Sequence, residues 1–413
     1  MKYWRGYIVA ALLAALTWAL TSFAKAHGVL VDMVYPYVSR LIQTSLAAWV
    51  SGADFCLWQV LVVLLGAALL ASVVLMIIFR WNVLQWLGWV LTGVSLLVLL
   101  HTSAYGLNQY AGNLSDDVRM NALIDEEAGT RLYLDSELVE TAQYFRDIAN
   151  ELSAQVPRNA DGTPNYPEFR KMAEMAADGF DSLVYDKTYS VFAGSTDPVK
   201  ELGWADMYTS MGITGIHMPL TGEAAVNPQT PVVAIPFTMC HEMSHRMCIA
   251  NERDANFGAF LACDANSDPI FRYSGYFMAF RYCYNALLSR NTSTTTAAAA
   301  ELYAGISDQM KLDLIYYREF YAEHQDANAS QLANSANDAY IKASGDESGA
   351  AAYGEVTDLL VSWYVQEIYL PAHKDEDITF DPENKNQIDL TTPDTVIVAT
   401  EPTEPTDATE GDN

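Results

Sequence analysis

The sequence predicts a mainly α-helical protein (α+β) with a small β element, anchored by three N-terminal transmembrane helices. Three observations carry this. Three long apolar runs without internal charge fill most of the first 104 residues. Apolar residues recur at helical spacing through most of the remainder. One short stretch rich in Gly, Thr and Pro shows strand-like alternation.

The first run, Gly6 to Ala24, is bounded by Arg5 and Lys25. The second, Phe55 to Phe79, lies between Asp54 and Arg80, and the third runs from Trp81 to Leu100. Each is long enough to cross about 30 Å of hydrocarbon. Trp4, Trp18, Trp58, Trp81, Trp86 and Trp89 supply interface anchors. The first run is longer than the core of a cleaved signal peptide, although TSFAKA offers small residues for cleavage. Lys2 and Arg5 precede the first span and Arg80 sits in the turn between the other two, so both positions are expected to be cytoplasmic. Lys25 and Arg40 weaken that asymmetry. Three spans then place the chain beyond residue 104 outside, in a multi-pass protein of the plasma membrane. Between the first two spans, YPYVSRLIQTSLAAWV reads as a short amphipathic helix near the membrane surface.

The domains expected are 1–104, the transmembrane region; 105–375, an extracytoplasmic domain; and 376–413, a tail. Residues 105–130 read as a polar, acidic connector. From Arg131 to Val156, Leu134, Leu138, Tyr144, Phe145, Ile148 and Leu152 follow helical spacing, and Pro157 ends the helix. A second helix runs from Glu168 to about Val184. MGITGIHMPLTGEAAVNPQTPVVAIPF reads as one or two strands with loops. Pro236 suits the first turn of the next helix. Further helices are expected over 252–264, 268–289, 298–324 and 352–369, with NTSTTTAAAA as a linker into the third of these. After Phe380, nine acidic residues meet one lysine and no aromatic residue, the composition of a disordered tail.

The 413 residues carry a net charge of −28, with a sequence pI of about 4.4. No basic footprint for nucleic acid is present; the acidity suits a solvated domain that repels anionic surfaces. Five cysteines form no C-x-x-C pair, which argues against a cysteine-only zinc site. They read as buried thiols, with one disulfide among Cys240, Cys248, Cys263 and Cys283 left open.

The chemistry lies in CHEMSHRMCIANERDANF, residues 240–257. On a helix, His241 and His245 share a face one turn apart and can bind one Zn²⁺ at about 2.0–2.1 Å each. Glu242 lies about 100° round the helix, where it can reach an activated water without binding the ion. A catalytic site needs a third protein ligand. If the helix ends near Cys248, a tight turn swings Glu252 back towards the histidines. Asp254 is the rival for that place, and Cys248, on the same face, is another. Asn256, one turn beyond Glu252, is placed to support it by a hydrogen bond. A polar helix face without metal remains the bland alternative.

ERDAN resembles the E-x-x-A-D/N element of gluzincin-type peptidases. That resemblance implies Glu252 as third zinc ligand, Asn256 as its support and a zincin-like catalytic domain. The chain also resembles a family of bacterial membrane-anchored HExxH proteins of unknown function, through TGEAAVN, IPFTMCHEMSH, ANERDANFGAFLAC and RYSGY, up to about residue 370. The departure is Cys248, where a helix-ending glycine is expected.

The function expected is that of a membrane-anchored zinc metallopeptidase acting on proteins or peptides at the outer membrane face. Glu242 is the general base and later the acid for the leaving amine. Tyr273 and Tyr276 are the catalytic candidates for steadying the oxyanion, with Arg272 and His217 beside them. TGEAAVN is a candidate strand for pairing with an extended substrate. Two rivals remain: a catalytically inactive zinc-stabilised sensor or binding domain, and a zinc amidase acting on cell-wall fragments.

Overall fold

The computed structural model describes residues 4–120, 133–344 and 356–373, a mostly helical chain with one small sheet. The acidic tail expected over 376–413 and residues 121–130 of the connector lie outside the described residues.

Helices α1 (Arg5–Ala26), α3 (Leu57–Ile78) and α4 (Val83–Ala104) are each long and apolar enough to cross a membrane. They associate the chain with a bilayer. α1 and α4 run side by side. Gly6 meets the backbone of Gly88 so closely that a Cβ would stand 2.5 Å from its carbonyl carbon, and the Thr92 hydroxyl donates to the Gly6 carbonyl at 2.8 Å. Small residues of this kind let helices approach within lipid.

The amphipathic segment between the first two spans is longer than expected: α2 covers Gly28–Val50 and includes Pro36. Its polarity is inverted relative to a soluble helix. Ser39, Arg40, Gln43 and Ala47 are buried against the protein, whereas Val29, Met33, Tyr37, Leu41 and Trp49 are exposed. Arg40 donates from Nε to the Met247 carbonyl at 3.2 Å and from Nη1 to the Ser190 carbonyl at 3.1 Å. Gln43 donates to the Pro219 carbonyl at 3.1 Å.

Residues 105–120 are not an open connector. A 3₁₀ turn (Gly106–Tyr110) and a single helical turn, α5 (Leu114–Asp117), pack inward, and Leu114, Val118 and Met120 are buried. There follow α6 (Asp135–Ser153), α7 (Phe169–Tyr185), strand β1 (Lys200–Glu201), α8 (Ala205–Ser210), strands β2 (Gly215–Met218) and β3 (Glu223–Val226), and α9 (Ile235–Arg246). The sheet order is β1-β3-β2, with β1 parallel and β2 antiparallel to β3. The β2–β3 turn closes at Gly222, at φ +67°, where a Cβ would also strike the backbone of Gln43 and Ala47 in α2.

Helices α10 (Glu252–Ala265) and α11 (Pro269–Ser289) complete the core with α6, α7 and α9, around Phe145, Phe180, Phe257, Phe260 and Phe277. The helix expected over 298–324 is two, α12 (Ser293–Ala304) and α13 (Asp308–His324). Thr292 and Thr295 cap α12 reciprocally, so NTSTTTAAAA starts a helix rather than linking two; Ser307 caps α13 after the break at Gly305. α14 (Ala327–Ser344) was not expected, and α15 (Val356–Tyr364) continues as a π-turn to Tyr369. All five cysteines are free, buried thiols.

The membrane helices and the helical domain are fastened to each other. Glu223, at the start of β3, accepts the Leu57 amide at 2.7 Å and the Trp58 amide at 2.9 Å, capping α3, and pairs with Lys200 at 2.9 Å. A carboxylate on the orphan amides of a helix N-terminus is favourable in both hydrogen bonding and dipole.

Candidate metal centre

Every residue of α9 is buried, between the sheet and helices α7, α10 and α11. Pro236 lies in its first turn, and Ser274 of α11 accepts the Phe237 amide at 3.0 Å. The helix carries both histidines on one face, with their rings 4.7 Å apart and nearly perpendicular.

α9 ends in a Schellman turn. The Cys248 amide donates to the His245 carbonyl at 2.9 Å, and the Ile249 amide to Ser244 at 3.2 Å. Cys248 takes the left-handed conformation, φ +73°, so it does the work of the expected glycine despite its Cβ. Its thiol points to the Ser39 hydroxyl, at 3.2 Å, which removes it as a rival ligand. The same turn presents the Ile249 carbonyl to His245 Nδ1 at 2.8 Å. A proton held there leaves the Nε2 lone pair to face the site.

Asn251 then caps α10, its side chain accepting the amides of Arg253 and Asp254 at 2.9 and 3.3 Å. This sets Glu252 in the first turn, directed at the histidines. Asp254 is occupied elsewhere, by the Leu114 amide at 2.8 Å and Arg253 Nε at 3.0 Å.

Three atoms converge. The Nε2 atoms of His241 and His245 are 3.1 Å apart and stand 3.3 and 3.4 Å from Glu252 Oε2. Ligand atoms bound at about 2.0–2.1 Å round a tetrahedral ion stand about 3.3 Å from one another. Glu252 Oε2 is fully buried and has no hydrogen-bond partner among the described residues. The donor set, its spacing and this orphaned oxygen fit a small divalent cation. Among the described residues, no other trio of His, Cys, Asp or Glu ligand atoms converges in this way.

The electrostatics agree. Burial opposes charge on His245, but Glu252 and Glu242 outweigh it and raise its pKa to about 9. Burial likewise pushes Glu252 up, yet the histidines hold it well below the usual carboxylate range. The cluster thus attracts positive charge to one point. Glu242, one residue from His241 and outside the trio, is pushed up to about 7, chiefly by burial.

Glu242 and the trio line a cleft of about 180 Å³, with Tyr105, Gln109, Gly215, Ile216, His217 and Asn337 among its walls. Gly215 is required by close approach: a Cβ there would stand 2.3 Å from Glu242 Oε1. His217 Nε2 is buried with no hydrogen-bond partner among the described residues, and its ring lies parallel to that of His245 at 6.4 Å.

Other candidate residues fall elsewhere. Tyr273 is fully buried and donates to Asp313 at 2.6 Å, within an ion pair between Asp313 and Arg158. Tyr276 donates to Asp264 at 2.7 Å amid Tyr144, Phe145 and Phe260. Neither lines the cleft, because both project from α11 into packed core, and Arg272 does not line it either. Asn256 does not bond Glu252: its carbonyl oxygen accepts from Tyr282 at 3.2 Å and its buried Nδ2 is unpartnered among the described residues. TGEAAVN forms β3, paired on both sides, so the outer strand beside the cleft is β2. Tyr105, Gln109, Gly215 and Asn337 line the cleft and carried no signal in the sequence that marked them for it.

Comparison with known proteins finds no matching curated protein and no matching solved structure. One family model matches residues 31–361, described as "Protein of unknown function (DUF3810)". That span holds the metal-fitting trio, the cleft, most of α2 and two of the three apolar helices, and the chain belongs to this family.

Proposed function

We propose that the protein is a membrane-anchored zinc-dependent peptidase, with His241, His245 and Glu252 holding the ion and Glu242 as general base. The convergence of the three ligand atoms, with Glu242 on the same cleft wall, carries this reading. Zinc held there supplies a Lewis acid for the peptide carbonyl and acidifies a water. Glu242 accepts the proton of the attacking water and returns it to the departing amine. His217 replaces Tyr273 and Tyr276 as the group that steadies the developing oxyanion, since its buried Nε2 has no other partner among the described residues. β2, the outer strand, offers its backbone to an extended chain.

A sensor or scaffold needs no cleft at Glu242, and the cleft favours hydrolysis over that reading. On orientation, Arg5 and Arg80 lie at the ends of their helices remote from the domain, because Leu57 and Tyr105 both touch it. This supports a cytoplasmic N-terminus and an extracytoplasmic site.

The direct test uses the full chain in detergent with an unstructured peptide. Chelation is expected to abolish cleavage and added zinc to restore it; cleavage indifferent to chelation would contradict the proposal. Gly215→Ala provides a second check. The added methyl displaces the Glu242 carboxylate, so hydrolysis should fall about 100-fold while zinc content holds. Wild-type activity in Gly215→Ala would remove the close approach from the account.

A further inference from the structure

The metal-fitting trio is not on a domain suspended from the membrane by a tether. It is built onto the ends of the membrane helices. Tyr105 is the first residue after α4, and its ring lies 5.1 Å from that of His217, which in turn lies 6.4 Å from that of His245. Two ring contacts therefore connect the end of a span to a candidate ligand. The last strongly exposed apolar residue on α4 is Leu100, little more than one turn earlier. Gln109, in the following 3₁₀ turn, forms another cleft wall and donates to the Ala250 carbonyl at 3.1 Å.

Two more ties fix the height of the site. Glu223 caps α3 from the strand next to β2, and Arg40 of α2 holds the Met247 carbonyl at the end of α9. The opposite face of α2 is apolar, with Val34, Val38, Leu41 and Trp49 exposed. A helix with its polar face on protein and its apolar face outward is covered by lipid. The bilayer surface therefore reaches the level of the motif helix.

We infer that the substrate of this site is a polypeptide anchored in the same bilayer, bound through the short extended segment that leaves the membrane. The inference rests on the peptidase reading for its chemistry, but not for its geometry. An extended chain rises about 3.3 Å per residue, so the segment facing Glu242 lies within about six residues of the substrate's own span. A soluble chain has no such registration.

The full chain in liposomes would be given a single-span peptide carrying a uniform unstructured spacer, or the same spacer without a span. Cuts confined to the first six or so residues after the span are expected, with the span-free peptide cleaved at least tenfold more slowly. Cuts scattered along the spacer, or equal cleavage of the span-free peptide, would overturn the inference. A second measurement separates binding from chemistry. Glu242→Gln carrying a photo-crosslinking residue at Asn337, a cleft wall on α14, should crosslink the same juxtamembrane window. Crosslinks there without cleavage by the wild type would sink the peptidase reading and leave this inference standing. Crosslinks distributed along the spacer, or none to either peptide, would overturn it.

Discussion

Glu242→Gln is expected to keep the metal and lose hydrolysis by a factor of about 10²–10⁴, the usual worth of a positioned general base. The substitution preserves shape in a position only 5% exposed, with Gly215 pressed against it. Because burial is the main force on this carboxylate, a neutral amide should be tolerated there without loss of fold. Metal content, measured on the same preparation as peptide cleavage, distinguishes loss of chemistry from loss of structure. Activity within tenfold of wild type, with zinc retained, would remove Glu242 from the role of base.

Glu223→Ala should destabilise the protein by about 3–5 kcal/mol, the range for breaking a buried ion pair on one side. Three groups lose a partner at once: Lys200 its counter-charge, and the amides of Leu57 and Trp58 their acceptor. Lys200 keeps the carbonyls of Val50 and Phe55, at 2.8 and 3.2 Å, which places the effect within that range rather than beyond it. Glu223→Gln retains an acceptor for the helix and should lose less. Thermal unfolding of the full chain in detergent reads both; an unchanged midpoint in Glu223→Ala would show that the capping of α3 from the sheet carries no stability. The same contacts predict that residues 105–375 expressed alone would be compromised, since they lack Arg40, Gln43 and the helix that Glu223 caps.

What could be read from the sequence was local. The i, i+4 spacing places His241 and His245 on one face through helix geometry alone, and a turn of fixed length returns Glu252 to them. The left-handed residue that ends α9 was expected as glycine and is Cys248, whose thiol finds Ser39 209 residues away, a contact no local pattern announces. Tyr273 and Tyr276 illustrate the converse. Both sit in an eye-catching motif near the site in sequence, yet helical phase turns them towards Asp313 and Asp264, in the core. His217, five residues before the β2–β3 turn closes at Gly222, reaches the cleft only because β2 is the outer strand. The amphipathic pattern of α2 was visible, but not that its polar side faces protein and its apolar side faces outward. Periodicity gives a helix two faces and does not say which one the fold will cover.

The central claim is a three-ligand zinc site formed by His241, His245 and Glu252. Elemental analysis of the full chain in detergent, wild type beside Glu252→Ala, tests it most directly. Near one zinc per chain in the wild type, weakened or lost in the variant, is the result predicted. A well-folded wild type without zinc, or a variant that retains it fully, would contradict the account.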